Sequence, residues 1–138
     1  MERKTFIKTS LMFCGAGLMG SAFLESCAKA TPTPTIPPFT SFTINITDPA
    51  NSSLNNVGGF IEHQNVIIIR TGTTTYSALS NVCTHRGCTV EYDVTTTSVF
   101  CPCHGGTFDV NGNVTGGPPP SALIKHTATL NGNILTIS

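Results

Sequence analysis

At 138 residues the chain has room for one domain and a short N-terminal extension, and not for two full domains. Seven Lys and Arg balance seven Asp and Glu, giving a formal net charge of zero, which excludes a basic surface for nucleic acid. Only 10% of residues are charged and Trp is absent, so the apolar core is modest and a covalent or metal staple is expected to stabilise it.

The N-terminal region holds two stretches of different character. Arg3, Lys4 and Lys8 precede an apolar run from Leu11 to Leu24. That run falls short of the roughly 20 residues of a membrane-spanning helix, so residues 1–26 read as an export signal. "LESC" (Leu24–Cys27) resembles a bacterial lipobox, which makes Cys27 the lipidated new N-terminus and anchors the protein to a membrane. "RKTFIK" (Arg3–Lys8) resembles a twin-arginine export signal with Lys in place of the second Arg. Cys14 reads as an ordinary small apolar residue of the signal. Residues 27–38, including "AKATPTPTIPP", form a Pro/Thr-rich tether that is stiff and extended.

The folded domain is assigned to residues 39–138. "SFTINIT" alternates Phe42, Ile44 and Ile46 with polar neighbours, as a half-buried strand does. "DPANSSLNNVGG" reads as loop. "FIEH" and "VIIIR" flank Gln64-Asn65 as a hairpin, with Val66–Ile69 buried on both faces. "TYSAL", "TVEY" and "SVFC" are further short strands, and the Asn-Gly pairs in "VNGNV" and "LNGNIL" signal two more hairpins. Eight to ten short antiparallel strands are expected, closing into a sandwich or small barrel.

Chemistry concentrates between these strands. "NVCTHRGCTV" and "CPCHGGTFD" place Cys83, His85, Cys88, Cys101, Cys103 and His104 on two Gly-rich loops. Two disulfides would suit an exported protein but leave both histidines unexplained. A zinc site would take two Cys and two His, yet Cys-x-His is tighter than the usual ligand gap and two cysteines remain over. A redox dithiol is disfavoured because Cys101 and Cys103 enclose one residue, with no βαβ frame around them. Free thiols beside structural histidines suit an oxidising compartment poorly. A further arrangement has each loop supply one thiolate and one imidazole to a two-iron cluster.

Cys-x-His followed by Cys-x-x-His resembles the pattern of the Rieske iron–sulfur family, and the likeness runs from about Val57 to the C-terminus. The resemblance implies an all-β fold, an antiparallel sandwich or barrel with a small cluster-binding subdomain of two loops. It implies one [2Fe-2S] cluster held by Cys83, His85, Cys101 and His104. Cys88 and Cys103 resemble the disulfide pair of the subgroup found in cytochrome bc complexes, and "GGPPPSAL" (Gly116–Leu123) resembles the Pro loop covering the cluster there. Pro118–Pro120 are then expected to stiffen a lid, and Gly87, Gly105 and Gly106 to relieve crowding near the cluster sulfurs.

By the same resemblance the protein is an electron carrier on the outer side of a bacterial membrane, facing the periplasm or cell exterior. It would accept electrons and protons from quinol or a partner enzyme, with no catalytic site of its own, as in a quinol–cytochrome c type oxidoreductase. An electron-relay small subunit of a periplasmic oxidoreductase such as arsenite oxidase is the second reading, and a zinc-stapled non-redox module the third. Neutral imidazoles on one iron lower the negative charge of the reduced state, which places potentials between roughly −150 and +300 mV. High-potential members carry Ser and Tyr donors where this chain has Gly106 and Phe108, so a low or middle value in that range is expected. Arg86 stands where the bc subgroup usually has Leu, at the tip of the first loop. His63 and His126 read as ordinary histidines, and Asp109 as a turn residue.

Overall fold

The structure, a computed structural model, describes residues 34–138. The export signal, Cys27 and the first part of the tether lie outside the described residues. Eleven strands build three antiparallel sheets. The first joins β1 (Phe42–Asn45), β11 (Ile134–Ile137) and β10 (Ala128–Asn131); the second runs β2 (Phe60–His63), β3 (Val66–Arg70), β4 (Tyr76–Ser80), β9 (Lys125–His126). The third, in the order β5 (Glu91–Asp93), β6 (Ser98–Cys101), β7 (Gly106–Phe108), β8 (Val114–Gly116), carries the second cysteine loop between β6 and β7. The expected all-β antiparallel fold is therefore present.

Strand β3 explains how the layers meet. Its side chains alternate between two cores: Ile67 and Ile69 join one, Val66 and Ile68 the other. The first core also contains Leu79, Val90, Val99, Phe108, Leu123 and the thiols of Cys83 and Cys101. The cysteine loops are thus seated on the same apolar mass that joins the second and third sheets. The hairpin between β2 and β3 turns at Gln64 (φ 48°) and Asn65 (φ 63°), the left-handed pair that a two-residue turn requires.

One expectation is corrected. "DPANSSLNNVGG" is not wholly loop: Pro49–Asn55 form a 3-10 helix. Asp48 caps its start by accepting from the Ala50 amide, and Arg70 donates to the Leu54 and Asn55 carbonyls at its end. Residues 34–38, read as tether, lie along the domain. Ile36, Pro37 and Pro38 line a cleft with Ile124, and Phe39 stacks on His126 at 3.9 Å between ring centroids. The prolines lack amide donors and cannot extend the sheet edge at β9, so side chains alone hold the segment.

Candidate metal centre

The two loops share one backbone plan. Cys83 and Cys101 each sit four residues before a glycine, and each accepts through its carbonyl from that glycine's amide: Gly87 to Cys83 at 2.8 Å, Gly105 to Cys101 at 3.0 Å. Both glycines adopt positive φ, +75° and +71°, a conformation that side chains resist. The first loop is closed further by the Cys83 amide donating to the Cys88 carbonyl and by a bridge between Val82 and Thr89. The second needs no such closure, because Cys101 ends β6 and Gly106 begins β7, paired directly across.

This plan brings all six predicted residues together. Cys83 and Cys101 are free thiols, each about 1% exposed. The rings of His85 and His104 meet edge to face, 4.7 Å between centroids and 89° between planes. Cys88 and Cys103 form the disulfide that ties the loops. The sulfurs of Cys88, Cys101 and Cys103 lie within 4.8 Å of one another. Two of those three are consumed in the disulfide and offer no thiolate, so that trio is not itself a metal site.

The donors fit a mixed sulfur and nitrogen centre. His85 Nδ1 is buried and has no hydrogen-bond partner. Leaving such an atom unsatisfied costs about 1–3 kcal/mol, and a metal ion would satisfy it. Burial pushes the Cys83 thiol up; the His85 and Arg86 amides oppose this, and the neighbouring Cys101 adds to it. Burial likewise lowers His85, with His104 and Arg86 contributing. A Cys83 thiol that keeps its proton and a His85 imidazole kept neutral together favour a cation that deprotonates the former and coordinates the latter.

The Pro loop closes over both cysteine loops. Pro119 is buried against Gly106: a Cβ added there would lie 2.5 Å from Pro119 Cγ. Gly117 passes so close that its added Cβ would lie 2.8 Å from Gly106 Cα. Thr84 donates from Oγ1 to the Ser121 carbonyl at 2.6 Å, joining the lid to the first loop. On the outer side, Pro34 packs over Gly87, 3.3 Å from the position of an added Cβ. Gly106 is therefore the seat of the lid, a role its reading as a missing donor did not reveal. Neither Thr84 nor Pro34 carries a sequence signal. Arg86, Gly87, Pro102, Cys103, His104 and Gly105 are the exposed rim.

Buried thiols at the core, imidazoles toward the rim and a loop-joining disulfide define an iron–sulfur protein with two ligand loops. Residues 49–129 match the family model of the Rieske [2Fe-2S] domain, more than half of the chain, and the chain belongs to that family. Its cofactor is accordingly one [2Fe-2S] cluster. The chain is 35% identical over 79 residues to the cytochrome b6-f complex iron-sulfur subunit of Chlorobaculum thiosulfatiphilum, covering 57% of this chain and 42% of that one. The Synechococcus elongatus subunit of the same description is 47% identical over 53 residues, 37% of this chain and 29% of that one. Among solved structures, the plasma membrane Rieske protein of Synechocystis PCC 6803 superposes with a TM-score of 0.52 at 28% identity, covering 58% of this chain and 84% of that one. The chain spans less than half the length of these curated relatives.

Proposed function

We propose that Cys83 and Cys101 bind one iron and His85 and His104 the other, in an electron-transfer protein of cytochrome bc-type assemblies. The observation that carries the ligand set is the buried, unpartnered His85 Nδ1, beside a second imidazole and two free buried thiols. Bound there, the cluster supplies one-electron chemistry. The protein's own residues do the rest. The apolar core around Cys83 and Cys101 keeps water from the sulfur side, and Pro119 covers it. His85 Nδ1 is assigned to iron, which leaves Nε2 as the atom that exchanges a proton. Exposed His104 offers the same at the rim. Coupled proton and electron acceptance suits quinol as the donor.

Gly106 carries no hydroxyl and the buried Phe108 ring carries none, so neither side chain donates to the sulfurs. A midpoint potential in the lower or middle part of the range from roughly −150 to +300 mV is expected, and a redox titration near its top would refute this. Export along a twin-arginine route and lipidation at Cys27 would hold the domain on the outer face of a membrane. Replacing Cys27 with Ala should then release the protein from the membrane fraction. Among the described residues no helix is long and apolar enough to cross a membrane.

Replacing His104 with Ala should abolish the visible iron–sulfur absorption and the paramagnetic resonance of the reduced protein; an intact spectrum refutes the ligand set. A second reading, an electron relay beside a periplasmic oxidoreductase such as arsenite oxidase, draws on exposed Arg86 at the rim. A cation is costly to bury in an apolar quinol pocket and suits a polar protein face. Rapid reduction by a short-chain quinol favours the first reading, and reduction only by a co-purifying enzyme favours the second.

A further inference from the structure

The close group of three sulfurs has a chemistry of its own. We propose that Cys101 and the Cys88–Cys103 disulfide form an exchange-competent trio. A chain that loses its cluster then moves the disulfide onto Cys101 and forfeits that iron ligand. The inference rests on the proposed ligand set, since iron on Cys101 is what holds the exchange in check.

Proximity supplies the reactants: the three sulfurs lie within 4.8 Å of one another, and Cys101 is a free thiol. Exchange proceeds by attack of a thiolate on one disulfide sulfur with release of the other. Burial selects which. Cys101 is about 1% exposed, Cys88 partly buried and packed on the same core, and Cys103 exposed. Attack on Cys88 releases Cys103 where water solvates the departing thiolate, and the new bond lies in the core. Attack on Cys103 would instead release the thiolate at part-buried Cys88, where water solvates it less, and would close a small ring around Pro102 alone.

The step balances without a co-reactant. The Cys101 sulfur, having given its proton to water, bonds to Cys88 Sγ; the Cys88–Cys103 bond breaks; Cys103 leaves as a thiolate and takes up a proton. Nothing is oxidised or reduced overall. The Cys83 thiol neighbours Cys101 and can carry the disulfide one step further, to Cys83–Cys101, again without an oxidant. Either product removes Cys101 from the ligand set, so the cluster must be in place before the loops are left with a free thiol beside a closed disulfide.

Two iron-free variants test this under argon, with free thiols capped by N-ethylmaleimide and disulfides mapped by peptide mass spectrometry. Cys83→Ser keeps the attacking thiol, and Cys101→Ser removes it. In Cys83→Ser most chains should carry Cys88–Cys101 with Cys103 capped, at a rate independent of protein concentration. In Cys101→Ser, Cys88–Cys103 should persist with Cys103 uncapped. The wild-type chain stripped by an iron chelator should carry a disulfide containing Cys101, and should regain its cluster only after treatment with dithiothreitol. Retention of Cys88–Cys103 in both the stripped wild type and Cys83→Ser overturns the proposal, as does equal capping of Cys103 in the two variants. An iron–sulfur spectrum in Cys101→Ser would instead strike the ligand set.

Discussion

The two cysteine loops are alike in backbone and unlike in surroundings. Each has a Cys carbonyl accepting from a glycine amide four residues on, with that glycine at positive φ. Around the first loop, Pro34 covers Gly87, Thr84 holds the lid, and His85 is half-buried with Nδ1 enclosed. Around the second, Cys103, His104 and Gly105 face solvent, and an added Cβ at Gly105 meets nothing within 4 Å. The difference makes the base of the first loop a packed wall, with Arg86 and Gly87 exposed at its tip, and the second loop an open rim, with thiols on the core side of both. An electron carrier benefits from that gradient: sulfur charge is shielded from water, while one imidazole stays accessible to a partner.

Cutting the one covalent link between the loops should have the largest effect on stability. Cys88 and Cys103 are 15 residues apart. Replacing both with Ser is expected to cost about 3 kcal/mol from the loop length alone, roughly 10–20 °C in the melting temperature. Calorimetry of the holo protein checks it. A shift below a few degrees would mean that the lid and core hold the loops without the disulfide.

The glycines sharpen the comparison next. Gly105→Ala imposes positive φ on a side chain in open space, at about 1–2 kcal/mol. Gly87→Ala adds the contact with Pro34 at 3.3 Å and should cost more than Gly105→Ala. Equal losses in urea unfolding would show that Pro34 yields freely. Thr84→Val removes the hydroxyl that reaches Ser121 and should cost about 1 kcal/mol. Faster chelator-driven loss of the cluster in that variant would report an opened lid, and an unchanged rate would assign closure to Pro119.

Much of this was legible from residue order, and the gaps share one cause. The β2–β3 hairpin was readable because Gln64-Asn65 interrupts two apolar runs, and the loops because Cys and His recur in a pattern that few chemistries use. The Asn111-Gly112 turn between β7 and β8 was readable, but the extent of those two strands was not, and β9 was not foreseen. All three are two or three residues long, and β7 and β8 include Gly106 and Gly116, so their pairing is imposed by neighbours rather than by propensity. The 3-10 helix had a signal in Asp48-Pro49, but a run of Asn and Ser masked it. Pro34–Pro38 read as a tether because a segment docked only by side chains leaves no periodicity. The seat of Pro119 on Gly106 and the sulfur trio are likewise contacts between distant stretches, invisible until the chain folds.

The smallest expected effects come from pH, and they again separate regions of the molecule. Burial lowers His126 below the ordinary histidine value, with its ring stacked on Phe39. A depressed folded value means that the unfolded chain binds the proton more readily. The contribution of His126 to stability is therefore complete above about pH 6.5 and is lost as pH falls through the folded value. Asp109 behaves alike at lower pH. Burial pushes its carboxyl up, but hydrogen bonds from Asn113 and Asn111 and the charge of Lys125 outweigh it, for a net lowering. Its contribution is present above about pH 4 and is lost in more acid solution. Melting temperatures of wild type, His126→Phe and Asp109→Asn between pH 7.5 and 2.5 separate the two windows. His126→Phe should flatten the decline that begins near 6.5 and leave the lower one intact, with Asp109→Asn doing the reverse. If His126→Phe leaves the upper slope unchanged, that slope does not come from the segment docked at Phe39, and burial of the His126 ring contributes nothing to it.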